Sequence, residues 1–405
     1  MSVYWNRRML TVLLLGFSSG FPFALTGSTL QAWLTDAKVD IKTIGLLGMV
    51  AVPYAFKFAW APLMDRFVPP FLGRRRGWAI VTQLGLIAGL VGMSLCDPTV
   101  SALHIAYLAL VVAFFSASQD IVIDAYRTDI VTSGAEVGPG AAFYTSGYRV
   151  AMLASGAGAL ALADHMSWQQ VYLVMAGAML VGVIATLSAP EPKIPPSAPK
   201  TLRDAIVNPL MEFFKRPAAW EILLFLFLYK IDVFLATALQ TTFLKQTGFT
   251  NTEIAYVSKG LGFAAALLGT LVGGTFMVKL GLRRALWSFG IFQGVAGLSF
   301  ALLASLGRNY PAMAGAITAE NFCAGLGTAA YSAFMMSICD KRFTATQYAL
   351  FTGFMALARS LAVAPSGYIQ ESVGWTTYFI IATVIMVPGL LMLTRYSRWG
   401  LPSDR

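Results

Sequence analysis

Apolar runs of about 20 residues recur along nearly the whole chain, each closed by a short polar or proline-bearing stretch. A helix rises ~1.5 Å per residue, so a run of that length covers the roughly 30 Å of hydrocarbon in a bilayer. The pattern predicts membrane-spanning helices at about 9–34, 44–64, 78–96, 103–125, 139–163, 168–187, 219–243, 252–278, 285–305, 311–337, 345–368 and 374–394. Between the sixth and seventh, seven prolines and charges of both signs predict a linker with one short amphipathic helix near 202–214. The expected fold class is all-α: a polytopic membrane protein of about 12 transmembrane helices in two pseudo-symmetric six-helix bundles, 1–187 and 219–405, joined by the 188–218 linker.

Composition points the same way, with 57% hydrophobic and only 12% charged residues, outside the range of ordinary soluble domains. The net charge of +10 does not imply a nucleic-acid partner, because the basic residues fall in short runs between apolar spans. Topology accounts for them: with both termini in the cytoplasm, twenty Lys and Arg fall on the cytoplasmic side and four outside, as the positive-inside rule requires. The first apolar run reaches about Trp33, longer than a signal-peptide core, and reads as a retained anchor. Cys96, Cys323 and Cys339 form no C-x-x-C pair, and His104 and His165 sit near span ends, so no metal, cofactor or disulfide framework is expected. An enzyme should bring a nucleophile and base or a metal cluster, and a receptor a large sensor domain; neither pattern is present. Trp5, Trp33, Trp60, Trp78 and Trp168, near span ends, read as interfacial anchors.

Charges inside the spans carry the functional expectation, since an ion near the bilayer midplane costs about 2.5–3.5 kcal/mol on insertion scales unless paired or hydrated. Lys57, Asp120, Asp124, Arg149, Lys230, Asp232, Lys259, Glu320 and Arg359 lie in or beside spans of both halves, which suits a polar chamber between them. Ser116, Gln119, Asp120 and Asp124 share one helical face. Asp120 is placed either to bind a proton or to pair permanently, for example with Arg149, whereas Asp124 lies near Arg127 and Asp129 at the cytoplasmic end, where a closed gate would form. Lys230 and Asp232, two apart, fall on nearly opposite faces unless the helix is broken; Lys230, with Thr237, Thr241 and Gln240 nearby, is expected to face the chamber and Asp232 a neighbouring helix. The expected proton-coupling residues are Asp120, Asp124, Glu320 and Asp232. The expected substrate-binding residues are Gln31, Gln119, Arg149, Lys230, Gln240, Asn321, Tyr348 and Arg359. A stripe of Gly16, Gly20, Gly27 and Gln31 with Pro22 reads as close helix packing or as a rocking surface.

Two loops echo each other: Pro62-Leu-Met-Asp65-Arg66 followed by Gly73-Arg74-Arg75-Arg76, and Gly274-x3-Val278-Lys279-Leu280-Gly281-Leu282-Arg283-Arg284. They resemble the gating-loop motif of major facilitator transporters, with Pro62 in place of Gly and an insertion in the first, and Val278 in place of Asp in the second. The resemblance implies gating by Asp65, Arg66, Arg74, Arg75, Lys279 and Arg283. Further segments widen it: Gly16-Phe-Ser-Ser-Gly20-Phe-Pro22, Thr26-Gly-Ser-Thr-Leu-Gln31-Ala-Trp33, Lys57-Phe58-Ala-Trp60-Ala-Pro62, Ser116-Ala-Ser-Gln-Asp120, Glu320-Asn321-Phe-Cys323-Ala-Gly325-Leu-Gly327-Thr328, and Ser337-Ile-Cys339-Asp-Lys341-Arg-Phe343-Thr-Ala-Thr-Gln347. In these the chain resembles the AmpG-type muropeptide permeases of the major facilitator superfamily. That resemblance implies a monomeric, proton-driven importer in the bacterial inner membrane, carrying anhydromuropeptides (GlcNAc-anhydroMurNAc with or without peptide) into the cytoplasm for cell-wall recycling. Some members of the group carry further hydrophobic segments after the twelfth span, which bears on substrate range more than on fold. The alternative reading is a facilitator of another substrate, such as a drug; the fifth span has no mid-helix Gly-Pro pair like that of proton-drug antiporters.

Overall fold

The computed structural model describes residues 6–39, 50, 52–131, 134–192, 201–216 and 218–400. The start of the expected second span (44–49 and 51), part of the proline-rich linker (193–200 and 217) and Trp5 lie outside them. Among the described residues all regular structure is helical, and eight helices are long and apolar enough to cross a membrane. The other expected spans appear as the broken segment 52–66 and the helices Gly134–Leu153, Tyr310–Ile338 and Thr344–Val363. The amphipathic linker helix forms at Leu202–Phe214, burying Ala205 and Phe213 and exposing Ile206, Val207, Leu210 and Met211.

Helices break where the sequence supplies a reason. Asn6 caps the first, accepting from the Met9 amide at 2.9 Å, and that helix ends at Leu25, three residues after Pro22. Ser28–Asp36 continues the span. Residues Ala154–Gly158 and Tyr256–Gly262 form π-helical turns, each rich in glycine, where one extra residue per turn rotates the side chains that follow. Ser167 with Gln170 and Thr250 with Glu253 make reciprocal capping boxes at helix starts.

The chain divides into two compact units. The first comprises Met1–Ser133, Phe143–Leu210 and Cys339–Gly353; the second Gly134–Ala142, Met211–Ile338 and Phe354–Arg405. In the first, Phe21, Leu25, Leu30, Trp33, Leu86, Val112 and Tyr172 form an apolar core. The glycine stripe of the Arg7–Leu25 helix is packing inside this unit: a Cβ on Gly16 or Gly20 would strike the carbonyls of Tyr144 or Tyr148, and one on Gly147 the Leu13 carbonyl. Two backbones therefore meet with no room for a methyl group, as small residues permit. In the second unit the same device joins Phe263–Leu280 to Tyr310–Ile338 through Gly269, Gly273 and Gly325, and Phe243, Phe300, Trp375 and Phe379 fill its core.

Two tryptophans depart from their expected anchoring role. Trp33 is 2% exposed and stacks on Trp168 at 6.4 Å, while Trp60 donates its indole N–H to Ser118 at 3.0 Å. Both serve internal packing, where the large ring contributes more than at an interface. Substituting Gly147 by Ala should destabilise by about 1–3 kcal/mol through overpacking against backbone. Gly177, with nothing within 4 Å of its would-be Cβ, should accept Ala without loss; melting temperatures of the two variants in detergent check the contrast.

Candidate functional site

The first unit gathers its buried charge around the Pro98–Ile130 helix. The expected second span is broken by a 3-10 turn at Lys57–Ala59, which turns Lys57 inward. Its ammonium lies 3.8 Å from Asp120 and 3.9 Å from Asp124. Arg127, one turn on, pairs with Asp124 at 2.9 Å. Two cations thus face two carboxylates, and all four residues are at least nine-tenths buried. Asp120 also accepts from the Ser19 hydroxyl, which in turn contacts the Tyr144 hydroxyl at 3.0 Å. The Arg127 guanidinium lies between the rings of Tyr144 and Tyr348, 4.0 and 5.0 Å from their centroids, and donates to the Tyr348 hydroxyl. The aromatic faces stabilise a cation two of whose nitrogens lack hydrogen-bond partners among the described residues.

A second cluster of the same unit lies at the end of the first of the two echoing loops. Asp65 pairs with Arg75 at 3.0 Å, and Arg75 with Asp129 at 2.7 Å. Asp65 also accepts from the amides of Ala345 and Thr346 at 3.3 and 2.8 Å and from the Thr346 hydroxyl at 2.8 Å. It therefore sits on the N-terminus of the Thr344–Val363 helix, where unsatisfied amides and the helix dipole favour a negative charge. Asp129 takes the Thr344 hydroxyl at 2.6 Å, and Lys341 donates to the Thr128 carbonyl. The Lys341 stem is exposed, but burial of its ammonium lowers its pKa from the ordinary lysine value. Glu191 accepts from the Arg75 and Arg76 amides at 2.8 and 3.0 Å, closing the start of the Arg74–Ser94 helix.

The expected gating residues separate accordingly. Arg75 and Asp65 are the ion pair, Arg74 is buried and donates to the Asp65 carbonyl at 3.2 Å, and Arg66 covers the Phe67 ring at 5.5 Å. In the second loop Lys279 is exposed and Arg283 half-buried. Val278 stands where the motif has an acid, and at the start of that stretch Gly274 and Gly138, each within a helix, meet so tightly that a Cβ on either would lie 2.9 Å from the other's carbonyl oxygen.

In the second unit the helix is broken after all. Ala219–Leu228 ends and Ile231–Gln246 begins with Lys230 as N-cap, so Lys230 and Asp232 reach the same neighbour. That neighbour is Gln293: its carbonyl oxygen accepts from the Lys230 ammonium at 3.1 Å, and its amide nitrogen donates to both Asp232 oxygens at 2.8 and 2.7 Å. Lys230 also reaches Thr328 at 3.3 Å and the Ala324 carbonyl at 3.5 Å. Asp232 thus meets a neighbouring helix, as expected, while the break turns Lys230 inward onto the same Gln293 amide instead of leaving the two on opposite faces. Glu320 is buried on the same Tyr310–Ile338 helix.

The other expected ligand-binding residues scatter. Gln119 is fully buried and spends its amide on the Ser18 carbonyl at 2.7 Å. Gln31 is exposed, Gln240 half-buried, and Asn321 donates to Ile317 of its own helix at 2.8 Å. Arg149 is half-buried with Nη1 lacking a hydrogen-bond partner among the described residues, so the Asp120 pairing goes to Lys57 instead. Arg359 is exposed, 6.0 Å over the Phe234 ring, and Tyr348 belongs to the Arg127 sandwich. Sequence reasoning passed over Gln293, Ser19, Tyr144 and Thr346. Gln293 had a signal, as the only amide side chain between Leu282 and Leu306.

The sequence profile of the Major Facilitator Superfamily matches residues 12–363. The chain is 44% identical over 393 residues to the anhydromuropeptide permease of Escherichia coli K12, covering 96% of this chain and 80% of that one. It is 31% identical over 401 residues to a "Putative transporter AmpG 4" of Rickettsia felis, covering 96% and 97%. Among solved structures it resembles the proton:xylose symporter XylE bound to 6-bromo-6-deoxy-D-glucose, with a TM-score of 0.71, 11% identity and coverage of 96% and 95%. That likeness bears on the fold.

Asp65→Ala should leave the Ala345 and Thr346 amides without their acceptor. Hydrogen bonds to charged groups contribute about 1.5–3 kcal/mol, so hydrogen–deuterium exchange across 344–350 should quicken roughly tenfold to a hundredfold. Arg66→Ala, whose side chain lies over a ring, should not change it.

Proposed function

The chain belongs to the major facilitator superfamily and, within it, to the group of the anhydromuropeptide permeases, and from that premise we propose that it imports anhydromuropeptides into the cytoplasm by proton-coupled alternating access. The cargo is GlcNAc-anhydroMurNAc with or without its peptide. It works as a monomer in the bacterial inner membrane with both termini in the cytoplasm. The observation that carries the cargo assignment is 44% identity sustained over 96% of the chain. The cytoplasmic placement of the termini rests on twenty basic residues against four.

The Lys57–Asp120–Asp124–Arg127 cluster supports the coupling. Its charges cancel as they stand. A proton arriving on Asp120 removes one of the two acids that Lys57 faces and leaves the cluster one charge positive, a state a ligand carboxylate neutralises. Losing the proton restores the Lys57 pairing and ejects the anion, so proton and cargo move together. Arg149 and Arg359, both accessible and neither in an ion pair among the described residues, are the cations best placed to hold peptide or muramyl carboxylate. Gln31, exposed, and Gln240, half-buried, supply further polar contacts. Asp65, Arg75 and Asp129 tie Thr344–Val363 in the closed cytoplasmic state, with Lys279 and Arg283 guarding the second loop. A proton and a ligand carboxylate together carry no net charge, so the driving force per proton is the pH difference, about 1.4 kcal/mol per unit, which sustains roughly a tenfold cargo gradient.

In proteoliposomes with an alkaline interior, the wild type should accumulate GlcNAc-anhydroMurNAc-peptide. Asp120→Asn should lower the ratio of gradient-driven accumulation to equilibrium exchange at least tenfold; an unchanged ratio would remove Asp120 from the coupling. Arg149→Ala and Arg359→Ala should raise KM for the peptide-bearing cargo about tenfold, as loss of a charge-assisted contact worth about 1.5–3 kcal/mol implies, with little change in the maximal rate.

A further inference from the structure

Glu320 is 3% exposed, deep in the Tyr310–Ile338 helix, and its Oε2 finds no hydrogen-bond donor among the described residues. The Leu282–Leu306 helix presents Gly297 to it, where a Cβ would lie 4.0 Å from that oxygen and 2.9 Å from the Thr383 hydroxyl. The charged groups that face it are Asp232 and Lys230, and Cys323 is its titratable neighbour on its own helix. Lys230 is occupied elsewhere, shared by Gln293, Thr328 and the Ala324 carbonyl, and Gln293 gives its amide hydrogens to Asp232. Lys230 and Asp232 already cancel. An ionised Glu320 would therefore add a negative charge at membrane depth, without a cation and beside another carboxylate, the least tolerable arrangement in a low-dielectric interior.

We propose that Glu320 is a proton-binding site of the second unit, separate from Asp120, which holds its proton in this arrangement and releases it when Lys230 takes its place. Ala324 and Thr328 lie one and two turns from Glu320 on the same helical face, so the ammonium that now rests on them is on the track that leads to Glu320. Two states then differ by one proton and one unit of charge, the first neutral and the second one charge negative. In one, Glu320 is a neutral acid and Gln293 bridges Lys230 to Asp232. In the other, the Glu320 O–H bond breaks, its proton passes to water, and the carboxylate pairs with Lys230 while Gln293 keeps Asp232. Gln293 is the positioning residue that holds the first state. That the exchange runs during transport rests on the function proposed above; that the proton is bound does not.

Infrared spectroscopy of the purified full chain in lipid tests the site itself. The wild type at neutral pH should show a carboxylic-acid C=O band that shifts on deuteration. Glu320→Gln should remove that band, Asp120→Asn should keep it, and Lys230→Met should require a more alkaline buffer to lose it than the wild type does. A wild type without the band, or a band that survives Glu320→Gln, overturns the proposal. Transport then tests the exchange: Glu320→Gln should lower the ratio of gradient-driven accumulation to exchange of anhydromuropeptide at least tenfold. An undiminished ratio beside a lost band would show a static proton and overturn the exchange. Absence of anhydromuropeptide transport in the wild type would instead strike the proposed function, while the infrared band would still decide whether Glu320 binds the proton.

Discussion

Charge cancellation away from water is the constraint on which the rest of this structure depends. A lone ion at membrane depth is costly, so each buried cation here stands beside acids in a set that sums to neutrality. Lys57 and Arg127 answer Asp120 and Asp124; Lys230 answers Asp232 through Gln293. Both lysines occur where their helix is interrupted, Lys57 in a 3-10 turn and Lys230 at an N-cap. An interruption frees backbone groups and redirects the side chain inward, which a continuous helix with the same sequence would not do. Neutral sets of this kind are poised: adding or removing one proton changes the net charge of the whole set, and every member has to find a new partner.

The two loops that resemble the facilitator motif are held by different chemistry. The first keeps its acid, and Asp65 uses it twice, against Arg75 and against the opening turn of Thr344–Val363. The second has lost the acid at Val278 and relies on two glycines whose backbones touch. A charge-capped contact responds to ionic strength and to the dipole of the helix it holds. A glycine contact responds only to shape. The two loops are therefore held by forces of different range.

The helical architecture was legible because lipid writes a plain rule into sequence: about twenty apolar residues and basic loops on one side. The residues of the candidate site were legible by type but not by pairing. Asp120 and Lys57 stand out as ions in apolar runs, yet which cation meets Asp120 depends on a 3-10 turn at Lys57 that no periodicity signals, and Arg149 was the equally plausible partner by position. Lys230 and Asp232 read as facing apart because two residues on a continuous helix turn through about 200°; the break at Tyr229–Lys230 removed the premise. Gln119 looked like a ligand contact because it shares a face with Asp120, but that face also packs on Ser18. Trp33 and Trp60 sit where anchors belong and are used as core. In each case the missing information is the identity of the helix on the other side, which composition does not carry.

The guanidinium of Arg127 clasped between two phenol rings has a consequence for how this molecule could be watched. One ring, Tyr144, sits on Gly134–Leu153; the other, Tyr348, rides on the opening turns of Thr344–Val363 that Asp65 holds by their amides. If those turns leave, the sandwich separates, and the near-ultraviolet absorption of two tyrosines changes as their cationic filling is lost. The protein thus carries its own chromophore pair on the two helices that this cation joins, an optical signal that needs no attached dye.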